Sequence, residues 1–208
     1  MLFCQLGRAH SLREITGGLR SCEGKFKHLG ISAPSRSTLA YAGAKPLRPP
    51  MPGIDQKNVI TALDLLRGAK DATGKVVVLG GGHVGAEVAE YLATKGRDVT
   101  IIEMLDEIAT DMPKSVRMLL ILSLKENGVK TITKAKAEKI TKTSLIINKQ
   151  GKEIEIPADS VVLALGFEAD RSLEDKLGDR PILWVGDCVK PRKLLEAVRE
   201  GFEAGAAV

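Results

Sequence analysis

Apolar residues fall into two patterns over most of this chain. Short unbroken runs, Val76-Val77-Val78-Leu79, Val99–Ile102 and Val161-Val162-Leu163-Ala164-Leu165, are rich in β-branched residues and poor in charge. Strands buried on both faces of a parallel sheet read this way. The first predicts a strand over 75–79, the second over 98–102, and the third ends on Gly166. Between the first two, Val84, Val88, Tyr91 and Leu92 recur at helical spacing, with Gly96 where a helix would stop. Residues 135–156 alternate instead. Ile140, Leu145, Ile147, Ile154 and Ile156 have polar neighbours, and turn residues stand at Thr143-Ser144 and Lys149-Gln150-Gly151. That predicts a meander of short antiparallel strands with one face in water, its lysines blunting the edges.

Other elements follow from the same spacing. Val59, Leu63 and Leu66 predict a helix over 59–68. A helix begins at Pro113, with Asp111 or Met112 near its cap, and runs to Asn127-Gly128. Its run Met118–Leu122 is expected to be largely buried, and residues 129–133 to form a further strand. Near the end, Ile182–Val185 reads as a strand, and a helix from about Pro191 is expected to bury Leu194, Leu195, Val198 and Phe202. The fold class is α/β, a Rossmann-like parallel sheet carrying an antiparallel β-meander.

Chemistry concentrates between the first two strands. Gly80-Gly81-Gly82-His83-Val84-Gly85 fits G-x-G-x-x-G, directly after a strand and opening a helix. Gly80 permits the tight turn, Gly82 lets the backbone approach a pyrophosphate, and Gly85 lets the helix pack close. The free N–H groups and positive end of the helix then face phosphate. Glu103 stands 18 residues after Gly85, at the tip of the second strand. There a carboxylate accepts from both ribose hydroxyls and repels a 2′-phosphate, so NAD(H) is expected rather than NADP. His83 occupies an x position of the loop and is read as a backbone position, although an acid/base role is open. Gly81, His83 and Val84 are counted with the cofactor loop, and Gly166 with the strand ends where ligands bind in such sheets.

Composition narrows the class. The chain has 208 residues, 44% of them hydrophobic and only 3% aromatic, which argues against an aromatic platform for nucleic acid. No apolar run reaches the roughly 18 residues of a membrane span, so a soluble protein is expected. Cys4, Cys22 and Cys188 form no C-x-x-C pair, which speaks against a disulfide scaffold, a zinc ribbon or a redox-active disulfide. No metal site is expected, and the setting is read as reducing and cytoplasmic. The net charge of +5 is uneven: residues 1–50 carry +6 and the remainder −1. A secretory signal is not expected, because the apolar run after Met1 is short; a transit peptide fits the basic, acid-poor segment.

Two resemblances sharpen this division. GRAHSLREITGGLRSCEGKFKHLGISAPSRSTLAYA, residues 7–42, resembles the N-terminal region of bacterial insertion-sequence transposases, in which SLREI-x-GGL and RSTLAYA recur. No acidic catalytic core of that kind follows. The segment 1–40 is therefore read as a basic, poorly ordered stretch of foreign coding sequence, with a small DNA-binding element as the other reading. From about residue 41, YAGAKPLRPPMPGID resembles the crossover that leaves the flavin domain in two-dinucleotide flavoproteins, which makes Tyr41-Ala42 the candidate junction. VGDCVKPRKLLEAVREGFEAG resembles the closing flavin-domain segment of NADH:flavin oxidoreductases of the dienoyl-CoA reductase and trimethylamine dehydrogenase type, which belong with the pyridine nucleotide-disulfide oxidoreductases.

The resemblance implies roles for single residues. Asp187, after Gly186, would contact the ribityl–pyrophosphate part of FAD, and Glu87 would lie beside the nicotinamide as the catalytic residue. It also implies a division into a flavin-domain remnant and crossover over 41–73, an NAD(H)-binding domain over 74–166 and a C-terminal flavin-domain segment over 167–208. Only one G-x-G-x-x-G is present, and it is of the nicotinamide kind. The first flavin-domain half and the (β/α)₈ barrel of these relatives are missing, so tight FAD binding is not expected. A module passing hydride from NADH to FAD, inactive alone, is one reading. A remnant that folds, binds NAD(H) and turns nothing over is another, and a weakly DNA-associated protein a third. The expected partners are a dinucleotide and a chain completing the flavin domain, with neither membrane nor nucleic acid.

Overall fold

The computed structural model describes residues 43–172, 174, 183–192 and 194–206. The basic segment 1–40 and the Tyr41-Ala42 junction lie outside them. In chain order the elements are β1 (Ala44–Pro46), β2 (Val59–Thr61), α1 (Ala62–Leu66), β3 (Lys75–Leu79), α2 (His83–Thr94), β4 (Asp98–Ile102) and α3 (Lys114–Glu126). They continue with β5 (Lys130–Ile132), β6 (Ala135–Ile140), β7 (Ser144–Lys149), β8 (Lys152–Pro157), β9 (Ser160–Leu163), β10 (Phe167–Ala169) and α4 (Leu194–Ala206). One compact unit spans 46–166, and residues 43–45 belong with those from 167 onward in a second.

The larger unit is built on a five-stranded sheet in the order β2-β9-β3-β4-β5, parallel throughout. At its centre β3 sets Val78 opposite Ile101 of β4 and Val162 of β9. An uncharged β-branched run suits this position because both faces are covered. Val76 and Val78 share a buried cluster with Val88, Ala89 and Leu92 of α2 and Leu120 and Leu124 of α3. Their neighbours Val77 and Leu79 point the other way, into a cluster with Ile140, Leu145 and Ile147 of β6 and β7. The two-residue period of a strand divides the run between the layers. Each fully buried Val or Leu contributes roughly 1.5–3 kcal/mol of apolar transfer energy.

The layer opposite the helices is the antiparallel meander β6-β7-β8, with a register irregularity between Ala137 and Lys139. Its inner residues are buried, while β8 shows charge to water at Lys152, Glu153 and Glu155. Polar ties join the strand starts. The Ser160 hydroxyl accepts from Thr73 N–H at 2.9 Å and donates to the Thr73 carbonyl at 3.0 Å. Beside it, Asp159 accepts from Lys75 N–H at 2.7 Å.

Four local expectations are corrected. Residues 59–68 are not one helix: Val59, Ile60 and Thr61 form a buried strand beside β9, and only Ala62–Leu66 is helical. β-branched residues pair well in a sheet. Thr61 then starts the helix by accepting from Asp64 N–H at 3.0 Å, as an N-cap residue does. The Met118–Leu122 run is not largely buried, since Met118 is 66% and Leu119 68% exposed and Leu120 only 7%. Five consecutive residues circle a helix, and α3 lays one stripe, Leu120 and Leu124, on the sheet.

In the second unit residues 183–185 form no strand, and Ile182 lies outside the described residues. α4 buries Ala197 and Val198 but leaves Leu195 71% and Phe202 66% exposed. The side chain of Leu194 lies outside the described residues. No helix among the described residues is long and apolar enough to cross a membrane.

Candidate functional site at the ends of β3 and β4

The glycine loop lies wholly within the larger unit and joins the last residue of β3 to the first of α2. Gly80 has φ 96°, a left-handed conformation, and donates to the Ile102 carbonyl at 3.0 Å. A Cβ on it would stand 2.5 Å from the Ala164 carbonyl oxygen, so the backbones of β3 and β9 meet here without room for a side chain. Gly85, in the first turn of α2, faces back onto the loop. A Cβ there would overlap the Gly80 carbonyl oxygen and stand 2.9 Å from its carbon.

Gly82 differs from both. It is the N-cap of α2, at φ −62° and ψ −179°, conformations open to any residue. A Cβ on it would meet nothing nearer than the Asp111 carboxylate oxygens, at 3.9 and 4.0 Å. A side chain here would make ordinary contact with Asp111 without a clash, so its absence leaves the helix end uncovered. α2 makes its first internal bond from Ala86 N–H to the Gly82 carbonyl at 2.9 Å. The N–H groups of Val84 and Gly85 have no acceptor among the described residues. An open cradle, free donors and the positive end of a twelve-residue helix together suit an anion.

β4 delivers Glu103 beside the loop. One carboxylate oxygen accepts from Gly81 N–H at 2.6 Å and the other from Leu105 N–H at 2.8 Å. The carboxylate is thereby oriented at the strand tip by two backbone donors. Gly81 is closed in on its other side, where Ala109, at φ 53°, donates to its carbonyl at 2.6 Å.

One residue at the loop escaped the sequence reading as a member of this site. Asp111 or Met112 was expected near the cap of α3, and Pro113 takes the cap position itself. Asp111 instead accepts from His83 N–H at 2.9 Å and bonds the His83 ring nitrogen Nδ1 with its other oxygen. Burial opposes its charge, but the His83 ring and the N–H groups of Asp111 and His83, aided by His83 charge, outweigh it. The carboxyl is held below its ordinary 3.8. Nothing in local spacing signals a pairing of residues 28 apart.

The remaining expected residues stand apart from this cluster. Glu87 is an exposed side chain on α2 with no hydrogen bond among the described residues. Gly166, at φ 89°, ends the β9 segment with open space around it and accepts from Leu47 N–H at 3.0 Å. Gly186 and Asp187 belong to the second unit, in a short 3₁₀ turn over Gly186–Cys188. There Gly186 N–H donates to Glu200 at 2.7 Å and Asp187 accepts from Arg192 N–H at 3.2 Å. Glu200 is held below its ordinary 4.5 by the Gly186 N–H first and the Arg192 side chain second. Among the described residues no group of three or more His, Cys, Asp or Glu could hold a metal ion.

The chain is similar to known proteins in sequence and fold. The family model for pyridine nucleotide-disulphide oxidoreductases matches residues 38–180, and a domain family of unknown function matches residues 1–32. A bilirubin reductase of Mediterraneibacter gnavus is 36% identical over 173 residues, covering 81% of this chain and 27% of that protein. An NADH oxidase of Thermoanaerobacter brockii is 37% identical over 171 residues, 77% of this chain and 26% of that one. The chain thus spans about a quarter of the length of these relatives. A solved 2-naphthoyl-CoA reductase superposes with a TM-score of 0.72 at 30% identity, covering 89% of this chain and 31% of that one.

Proposed function

The chain belongs to the pyridine nucleotide-disulphide oxidoreductase family, and on that premise we propose that it is the NAD(H)-binding module of a flavin-dependent oxidoreductase. The observation that carries this is the open cradle at Gly82, faced by the free N–H groups of Val84 and Gly85 and flanked by the oriented Glu103 carboxylate. The residues fit the nucleotide: the loop and first turn of α2 would hold its pyrophosphate, and Glu103 its adenosine ribose hydroxyls. When bound, NAD(H) supplies a hydride. Glu103 would repel a 2′-phosphate, which sets the preference for NAD(H) over NADP(H). Glu87, exposed on the same helix, is the residue proposed to face the nicotinamide.

Within the family we favour the dienoyl-CoA reductase and trimethylamine dehydrogenase type, on the likeness of residues 185–205 to its closing flavin-domain segment. In that reading Asp187 is the flavin contact. Among the described residues its carboxylate accepts from Arg192 N–H of its own segment and is half-buried, which leaves acceptor capacity for a ligand. The sequence holds a single dinucleotide glycine unit, so turnover is proposed to require a further chain or segment that completes the flavin site. A cytoplasmic setting is proposed from the three cysteines without a C-x-x-C pair.

Titration calorimetry with NADH and NADPH, preceded by a visible spectrum, tests the proposal. Micromolar NADH binding, weakened in Glu103→Ala and absent for NADPH, is the expected result. A protein that binds neither nucleotide would overturn it. A flavin absorption band in the visible spectrum of the purified chain would show that the flavin site needs no completion and would overturn the proposed dependence on a second chain.

A further inference from the structure

Asp111 stands where a bound anion is expected, an inference that rests on the dinucleotide reading above. Its carboxylate accepts from His83 N–H, the first N–H of α2, at 2.9 Å. Its two oxygens are the nearest atoms to the space that Gly82 leaves open, 3.9 and 4.0 Å from where a Cβ would be. An anion on first-turn N–H groups is how a helix end holds a pyrophosphate. Here the protein's own carboxylate takes part of that role, fastened by the His83 ring.

We propose that Asp111 is an internal occupant of the phosphate seat, which a dinucleotide must displace, so that the Asp111–His83 pair sets the loop's affinity for pyrophosphate-bearing ligands. A carboxylate and a pyrophosphate repel each other at one helix end, and the His83 N–H cannot serve both fully. Displacement needs only side-chain rotation. The Asp111 backbone is held in a loop tied to Gly81 through Ala109, while its side chain is 45% exposed and can turn to water. His83 is thereby a positioning residue: it keeps Asp111 on the helix end, and release of Asp111 frees its ring.

The test is calorimetry on the full chain, wild type against Asp111→Asn, with NADH, inorganic pyrophosphate and adenosine. A melting curve on each confirms folding, and His83→Ala is the second variant. Asp111→Asn keeps the shape and removes the charge. It is expected to bind NADH and pyrophosphate about tenfold tighter, within the range of internal coupling free energies, with adenosine unchanged. His83→Ala should move in the same direction by less. Equal NADH affinity in wild type and Asp111→Asn would overturn the inference while the NAD(H) reading stands. Tightening that extends equally to adenosine would also overturn it. Pyrophosphate bound tighter by Asp111→Asn, with NADH bound by neither protein, would uphold the occupied seat and sink the NAD(H) reading. Neither ligand bound by either protein would sink both.

Discussion

Gly85 is where loop, helix and neighbouring strand are packed most closely, and replacing it with Ala tests that packing. The added methyl would overlap the Gly80 carbonyl oxygen and stand 2.9 Å from its carbon, with the Ala164 Cβ 3.2 Å away. Backbone blocks it on one side and the half-buried Ala164, just past β9, on the other, so no flexible side chain can yield. Even close carbon–oxygen contacts stand at about 3.3–3.6 Å, so the N-terminal turn of α2 would have to lift by about 1 Å or more. Two terms oppose each other. Ala is favoured over Gly inside a helix by up to about 1 kcal/mol, less in a first turn. Overpacking costs roughly 1–3 kcal/mol, and contact with backbone argues for the upper end. The net is a destabilisation of about 2 kcal/mol. For a unit of this size that lowers the melting temperature by roughly 6–10 °C. Calorimetric melting of the purified variant measures it, with urea unfolding as a check that the slope is unchanged. A variant melting at or above the wild-type temperature would refute the close approach of α2 to the loop.

Other substitutions separate fold from site. Gly82→Ala places its methyl in ordinary van der Waals contact with the Asp111 carboxylate, without a clash, so stability should change by less than about 1 kcal/mol while NADH binding falls at least tenfold in a titration. Glu103→Ala removes the acceptor of the Gly81 and Leu105 N–H groups and should weaken NADH by about tenfold or more. Leu119→Lys, at a position 68% exposed, should stay within about 0.5 kcal/mol of wild type in urea unfolding, whereas Leu120→Ala should lose about 2–4 kcal/mol. The depressed Asp111 carboxyl predicts a pH signature. A group whose folded value lies below its unfolded one stabilises fully above the unfolded value and loses that contribution as pH falls through the folded one. The wild type should therefore lose its advantage over Asp111→Asn below its ordinary 3.8. A stability gap between the two that stayed constant from about pH 7 to about pH 3 would contradict this.

Much of the larger unit could be read in the sequence because its signals are local. Uncharged β-branched runs such as Val76–Leu79 belong only in a sheet covered on both faces, and the alternation of 135–156 belongs only in a half-exposed meander. The glycine loop was legible because its spacing, the strand before it and the acid after it lie in one continuous stretch. What escaped depends on contacts that spacing does not carry. Val59–Thr61 has helical periodicity with the residues after it, yet the free edge of β9 takes it as a strand. The five-residue apolar run of α3 shows nothing about which side meets the sheet until the sheet is built. Asp111 reached the site from a loop 28 residues after His83, so only the chain path after β4 could place it there.

The most direct measurement of the central claim is a two-dimensional amide NMR spectrum of the ¹⁵N-labelled full chain titrated with NADH. The account predicts that the largest shifts fall on Gly81–Gly85, with Glu103, Leu105 and Asp111 following on the same binding isotherm. Shifts confined to other residues, or none at saturating NADH, would contradict it.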